Sequence, residues 1–257
     1  MWPSTFDNID FIKVDVPNTG NYDKNIYEFS KSYEKRGEIE YFYRISKYPI
    51  TNKLFNIFLA QTSGQTNENN ELPVVNITFI DACYYCNWLT TGSKDKGTYV
   101  IENNIPRLIT KDGYYIPNEN EWHKAAFYNP KTEQYFLYAT SSNITPVRAS
   151  SFSTEQNIAN FLYEERIEDS LLFKNYENKI TGNLTPVCSF INSFSPFGTF
   201  DQNGNVWELV DTKDSNVKVL KGGSAFSSSY SLKSAFSSIC DINTRSKEIG
   251  FRVCRGF

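Results

Sequence analysis

Apolar residues recur at helical spacing in three places along the chain, and elsewhere gather in short aromatic or β-branched runs broken by Gly, Asn, Ser and Pro. The first helix is expected to begin after Thr51, whose hydroxyl suits an N-cap, with Leu54, Phe55, Phe58 and Leu59 on one face. The second is expected after Asp81, where Ala82, Cys86 and Leu89 share a stripe and Gly92 stands where the helix should stop. The third carries the fullest signal. Asn118 and Glu121 make a capping box, and Trp122, Ala125 and Ala126 form the stripe to be buried.

Beyond about residue 130 the helical spacing fades, and Asp201-Gln202-Asn203-Gly204-Asn205 reads as a tight turn between extended segments. Helices early and irregular strands late predict an α+β domain. The charged, mixed segment from Leu162 to Ile180 is expected to form a short surface helix or a flap. Nothing resembles a linker, so one domain over residues 1–257 is expected, at the upper end of what a single core supports. The 20 Phe and 17 Tyr can fill such a core despite a mean hydropathy of −0.48, which argues against disorder.

The net charge of −3 arises from mixed signs with no basic block, which argues against nucleic acid as a partner. No stretch is long and apolar enough to span a bilayer, and the N-terminus lacks the cationic and apolar regions of a signal peptide. A cytoplasmic protein with no membrane partner is the expectation, on the condition that Met1 is the native start. Five cysteines are too few, and odd in number, for a disulfide framework. Cys83 and Cys86 fall within a helical pattern with no second pair to complete a zinc site, so core positions are expected for them. His123 is the single histidine; following Trp122 on the third helix, it is expected in a surface or capping role. No serine sits in a nucleophile elbow and no Gly-rich loop fits a phosphate.

Six segments, in order, resemble the sulfatase-modifying factors, or formylglycine-generating enzymes. They are Tyr43 to Asn52, Pro73 to Leu89, Ile116 to Ala126, Phe197 to Leu209 with its Gly204-Asn205-Val206-Trp207-Glu208 signature, Lys221-Gly222-Gly223-Ser224, and Ile249-Gly250-Phe251-Arg252-Val253. Together they cover roughly residues 40 to 254. The resemblance implies a C-type-lectin-like α+β fold with little regular secondary structure and a binding surface shaped by C-terminal loops. Fold alone does not fix function.

Aerobic members of that family oxidise a substrate cysteine at copper held by two cysteines between the last two motifs. The matching positions here fall near Ser228 and Lys233, and a hydroxyl and an ammonium cannot hold Cu(I). No copper is therefore expected, and a formylglycine-generating oxidase acting on a cysteine-containing peptide is the alternative rather than the first reading. Relatives using iron hold it with several histidines, which one histidine cannot supply. Glu119, Glu121 and Glu208 are acid/base candidates, each with a structural role already in view.

The resemblance also implies a structural calcium ion in the signature turn. The matching ligands would be the carboxylates of Asp201 and Glu208 and the carbonyls of Gly204 and Val206. A metal-free turn held by Asp201 hydrogen bonds is the competing arrangement. A second family calcium site would need an acidic residue near Lys179 to follow Asn160, and the lysine argues against it. Trp207 is expected in the core, and Arg252 is expected to pair with a buried carboxylate.

With the oxidase ligands missing, the C-terminal stretch becomes the informative region. It is rich in Ser, with Phe226, Ser228, Tyr230, Lys233, Phe236, Ser238 and Ile239 as the candidate ligand-binding set. Such residues on loops combine adaptable hydrogen bonding with aromatic anchors. Variable proteins of diversity-generating retroelements use the same domain type and vary this same stretch. The expectation is a non-catalytic domain binding a protein or small ligand there, with a merely solvated Ser-rich loop as the competing reading.

Overall fold

The computed structural model describes residues 9–15, 36–66, 68, 70–162, 183–212 and 216–256. The segment expected as a surface helix or flap falls almost wholly outside the described residues. In chain order the elements begin with β1 (Phe11–Val14), β2 (Tyr43–Ser46), α1 (Asn52–Thr62), α2 (Phe79–Thr91), β3 (Tyr99–Glu102), β4 (Ile105–Leu108), β5 (Tyr114–Tyr115) and α3 (Glu119–Phe127). They continue with β6 (Tyr128–Asn129), β7 (Gln134–Tyr135), β8 (Val147–Arg148), β9 (Ile158–Ala159), β10 (Trp207–Val210), β11 (Val217–Lys221), β12 (Ser238–Asp241), β13 (Ile249–Gly250) and β14 (Cys254–Arg255). Short strands joined by long irregular connections make this an α+β fold of low regular content, as the sequence predicts.

Each helix begins where a polar side chain can satisfy an orphan amide. Thr51 caps α1 by accepting from the Leu54 amide, and Asn118 with Glu121 makes the capping box of α3. The start of α2 corrects the sequence reading. Thr78 is its N-cap and Asp81 is the N3 partner of a second capping box, so the helix begins before Asp81 rather than after it. Gly92 closes α2 in the left-handed region with φ 79°, where glycine carries no Cβ penalty.

Nine of the thirteen residues of α2 are buried, so this helix runs through the core instead of lying on it. Its Tyr85 and Trp88 pack with Phe55 and Phe58 of α1 and with Phe251, ring centroids 5.2–6.2 Å apart. Asn87 is fully hydrogen-bonded inside this core, donating to the Lys94 and Tyr99 carbonyls and accepting from the Tyr99 amide. Cys83 and Cys86 are wholly buried there, as expected.

Two four-stranded sheets frame the core, ordered β1-β2-β14-β5 and β12-β11-β10-β13. In the first, β14 near the C-terminus pairs antiparallel with both β2 and β5, so the end of the chain is sewn to its first half. In the second, β10 pairs antiparallel with β11 and parallel with β13, and β11 pairs antiparallel with β12. The signature turn Asp201 to Asn205 enters β10 with Asp201, Gly204 and Asn205 all at positive φ. It is a turn, but an irregular segment rather than a strand precedes it.

Candidate functional site

The connection from β11 to β12 is a platform fixed from beneath. Lys221, at the end of β11, is buried, and its Nζ donates to the carbonyls of Ser234 at 3.0 Å and Phe236 at 2.7 Å. A buried ammonium is tolerated only when hydrogen-bonded or paired, and here those bonds grip the loop at two points, with Glu119 3.9 Å away. Gly222 and Gly223 follow at φ 92° and 76°. A Cβ on Gly222 would lie 2.7 Å from the Gln202 carbonyl oxygen, and one on Gly223 would lie 2.7 Å from Leu232 Cδ2. Close approach and left-handed backbone both demand glycine.

Further inward groups hold the rest. Leu232 is wholly buried against Tyr138, Ala159 and Phe161, and its carbonyl accepts from Asn203 Nδ2 at 2.8 Å. The Ser234 amide donates to the Leu137 carbonyl at 2.9 Å, and Ser224 Oγ donates to Glu248 at 2.8 Å.

Between these anchors other side chains turn outward. Tyr230 is 48% exposed and Ile239 67%, while Phe226, Ser228, Lys233, Phe236 and Ser238 are half-buried. The Phe236 ring lies 5.5 Å from Tyr230, edge to face, and 6.0 Å from Trp207. Lys233 Nζ sits 4.8 Å over the Tyr230 ring. Phe226 belongs to a separate spot, with Lys247 Nζ 4.4 Å over its ring. Ser238 and Ile239 lie on β12, paired to Leu220 and Val219. The structure thus brings Tyr230, Lys233 and Phe236 into contact, with Phe226 at its separate spot and Ile239 on β12.

Trp207 corrects an expectation: half-buried, it joins the core on one side and the aromatic surface on the other. Trp207 opens β10, whose other three residues are all buried, so alternation along the strand does not separate it from them. Lys247 carries no sequence signal for this surface, since only its place over the Phe226 ring links it there.

At the positions matching the copper ligands, Ser228 and Lys233 present a hydroxyl and an ammonium. All five cysteines are free thiols. Burial pushes those of Cys83, Cys86 and Cys254 well above the ordinary range. Cys240 lies on β12, paired with Lys218. Among the described residues no three His, Cys, Asp or Glu side chains gather as a metal site. His123 is neither at the surface nor a cap. It is wholly buried, its ring 4.8 Å from Phe127 and 5.6 Å from Tyr135.

The calcium arrangement expected at Asp201, Gly204, Val206 and Glu208 does not fit this geometry. Glu208 is buried with both oxygens committed: Oε2 accepts from Arg252 Nε at 2.5 Å and Trp122 Nε1 at 2.7 Å, and Oε1 from Arg252 Nη2 at 2.7 Å. Arg252 already supplies the positive charge that a calcium ion would bring. Asp201 Oδ2 caps the Cys188 amide at 2.8 Å, and burial pushes its carboxyl up to about 6. Near the second family site, Asn160 Nδ2 donates to the Asn183 carbonyl and to Asn205 Oδ1, and its own Oδ1 has no partner among the described residues. Lys179 lies outside them.

Short strands, capped helices and an anchored C-terminal loop platform are the features of a C-type-lectin-like domain of formylglycine-generating-enzyme type. The chain belongs to the sulfatase-modifying factor enzyme 1-like domain family, whose pattern it matches over residues 20–257. A curated relative, "Chaperone protein LppX" of Paenibacillus barcinonensis, is 26% identical over 235 residues, covering 82% of this chain and 79% of the relative. Among solved structures, CarF superposes with a TM-score of 0.67 at 19% identity, covering 97% of this chain and 98% of CarF. Treponema denticola variable protein 1 gives 0.61 at 15%, covering 95% and 94%. PvdO from Pseudomonas aeruginosa gives 0.53 at 16%, covering 85% and 82%. These likenesses establish the fold. Among the described residues no helix is long and apolar enough to cross a membrane.

Proposed function

We propose that this protein is a non-catalytic binding domain that recognises a protein or small ligand through its C-terminal loop platform. The observation that carries the reading is the division of labour along one loop: Lys221, Leu232 and Ser234 hold the backbone from below, while Tyr230, Phe236, Lys233 and Trp207 offer aromatic faces and an ammonium above. Aromatic rings held in place bring large contact area at small cost in conformational entropy. The likeness to a Treponema denticola variable protein supports a place among the variable proteins of diversity-generating retroelements. A cytoplasmic location remains part of the proposal.

Two tests decide it. Selecting displayed peptides against the wild-type domain, with the Tyr230→Ala/Phe236→Ala variant as counter-selection, should enrich binders that need those rings. Binders indifferent to both substitutions would place recognition elsewhere. Incubation with Cu(I) and a cysteine-containing sulfatase peptide tests the oxidase alternative, which family membership keeps in play. The mass loss of aldehyde formation would overturn the proposal. For the retroelement reading, the gene's neighbourhood should hold a near-identical template repeat with altered adenines and a reverse transcriptase, and their absence would remove it.

A further inference from the structure

We propose that a cleft beside the start of α1 is a second binding site, one that takes a small amine with an apolar body. The cleft has a volume of about 390 Å³, within the range of about 300–1,000 Å³ typical of small-ligand sites. It shares no lining residue with the C-terminal platform. Its apolar wall is made by Ile9, Ile50, Leu54, Ile57 and Val187, drawn from three separate parts of the chain. The wall is tied down by backbone hydrogen bonds: Lys47 to the Asp10 carbonyl at 2.7 Å, Ile50 to Phe251 at 2.9 Å and Val187 to Glu71 at 2.9 Å. A cleft held in this way is preformed, which spares a ligand the cost of ordering it.

The polar lining fixes the ligand's charge. Thr51 Oγ1 accepts from the Leu54 amide as the helix cap. Lys53 Nζ lies 2.7 Å from Glu71, so these two charges cancel. Asp10 lines the cleft and forms no ion pair among the described residues, leaving one uncompensated carboxylate at the rim, with Tyr48 beside it. Lys47 lies over the Tyr48 and Phe200 rings and is not part of the lining. An apolar wall beneath a single free carboxylate complements an ammonium carrying an alkyl or aryl group. A carboxylate ligand of the same shape would be repelled, and a neutral one would gain the wall alone.

The test uses the full chain and three shape-matched probes followed by calorimetry or ligand-observed NMR: 2-phenylethylamine, 2-phenylethanol and 3-phenylpropanoate. The amine should bind about fivefold more tightly than the alcohol, the worth of one partly exposed ion pair, and the carboxylate more weakly than either. Asp10→Asn, at an exposed position, should abolish the preference for amine over alcohol while leaving the alcohol's affinity intact. Leu54→Trp should fill the cleft and remove binding of all three, with an unchanged circular dichroism spectrum confirming the fold. Tyr230→Ala, on the other surface, should change none of these values, so failure here and failure of the loop-platform reading are separable. No amine binding, equal affinity for amine and alcohol, or a preference that survives Asp10→Asn would each overturn the proposal.

Discussion

Arg252 and Glu208 meet in the interior with neither side chain exposed, and the guanidinium fork does more than neutralise the carboxylate. Its remaining donors reach the carbonyls of Ser46 at 3.0 Å and Phe200 at 2.8 Å, so one side chain joins β2, the signature turn and β10. Removing one partner leaves the other charged and buried. Arg252→Ala and Glu208→Ala should each cost about 3–5 kcal/mol in urea unfolding. The double variant Glu208→Leu/Arg252→Met should cost less than the two losses added together. Full additivity would show that the two residues do not act as a pair.

The same ion pair leads to a prediction about calcium. An ion bound at a hundred times its dissociation constant would contribute about 2.7 kcal/mol to stability, a shift of several degrees in melting temperature that calorimetry resolves readily. Because Arg252 fills the role of the cation beside Glu208, excess EDTA and excess calcium should both leave the melting temperature unchanged. A chelator-induced fall that Asp201→Ala reproduces would restore the ion to the turn.

Lys221 anchors the platform, and its loss should be felt above it. In Lys221→Met the carbonyls of Ser234 and Phe236 lose a charged donor, a contribution of about 1.5–3 kcal/mol per bond at most. Hydrogen exchange across residues 224–238 should accelerate, while amides of α2 keep their protection. Uniform acceleration throughout the chain would mean that Lys221 serves global stability and no local clamp.

Outward and inward residues of the loop should separate cleanly on substitution. Tyr230→Ala and Phe236→Ala should change unfolding free energy by no more than about 1 kcal/mol, whereas Leu232→Ala should cost about 2–5 kcal/mol. Comparable losses at all three would make the aromatic surface part of the core.

Thiol reactivity offers a further check on burial. Cys188 and Cys240 are half-buried and Cys83, Cys86 and Cys254 are buried. A thiol reagent at neutral pH should modify only the first pair in the native protein, slowly because burial raises both thiols above the ordinary range. All five should react in urea. Fast modification of a third cysteine under native conditions would contradict the packing of α2 or β14.

What the sequence revealed follows the range of the interactions concerned. Thr51, Gly92 and the Asn118–Glu121 box act over a single turn, so the helix ends could be read from neighbours in the chain. The start of α2 was misplaced because Asp81 is as plausible a cap as a capping-box partner, and only Thr78 three residues earlier distinguishes the two. The aromatic surface is legible as composition, because Tyr230, Lys233 and Phe236 stand out in a Ser-rich stretch. His123 and Lys221 were not legible in the same way. Their burial depends on Phe127 and Tyr135 for one and on the far side of the loop for the other, and residue type favours exposure for a lysine. The partner of Glu208 was beyond local reach for a related reason, since Arg252 lies 44 positions away. The amine cleft is the extreme case, assembled from parts as remote as Ile9 and Val187.

Gly222 and Gly223 set the limits on how this loop can change. With the chain pinned against Gln202 and Leu232 at that point, the path of the backbone is decided before any outward side chain is chosen. If the loop platform binds as proposed, positions such as 228, 230, 233, 236 and 239 can accept many different residues without rerouting the chain, and a change of specificity there would cost folding little.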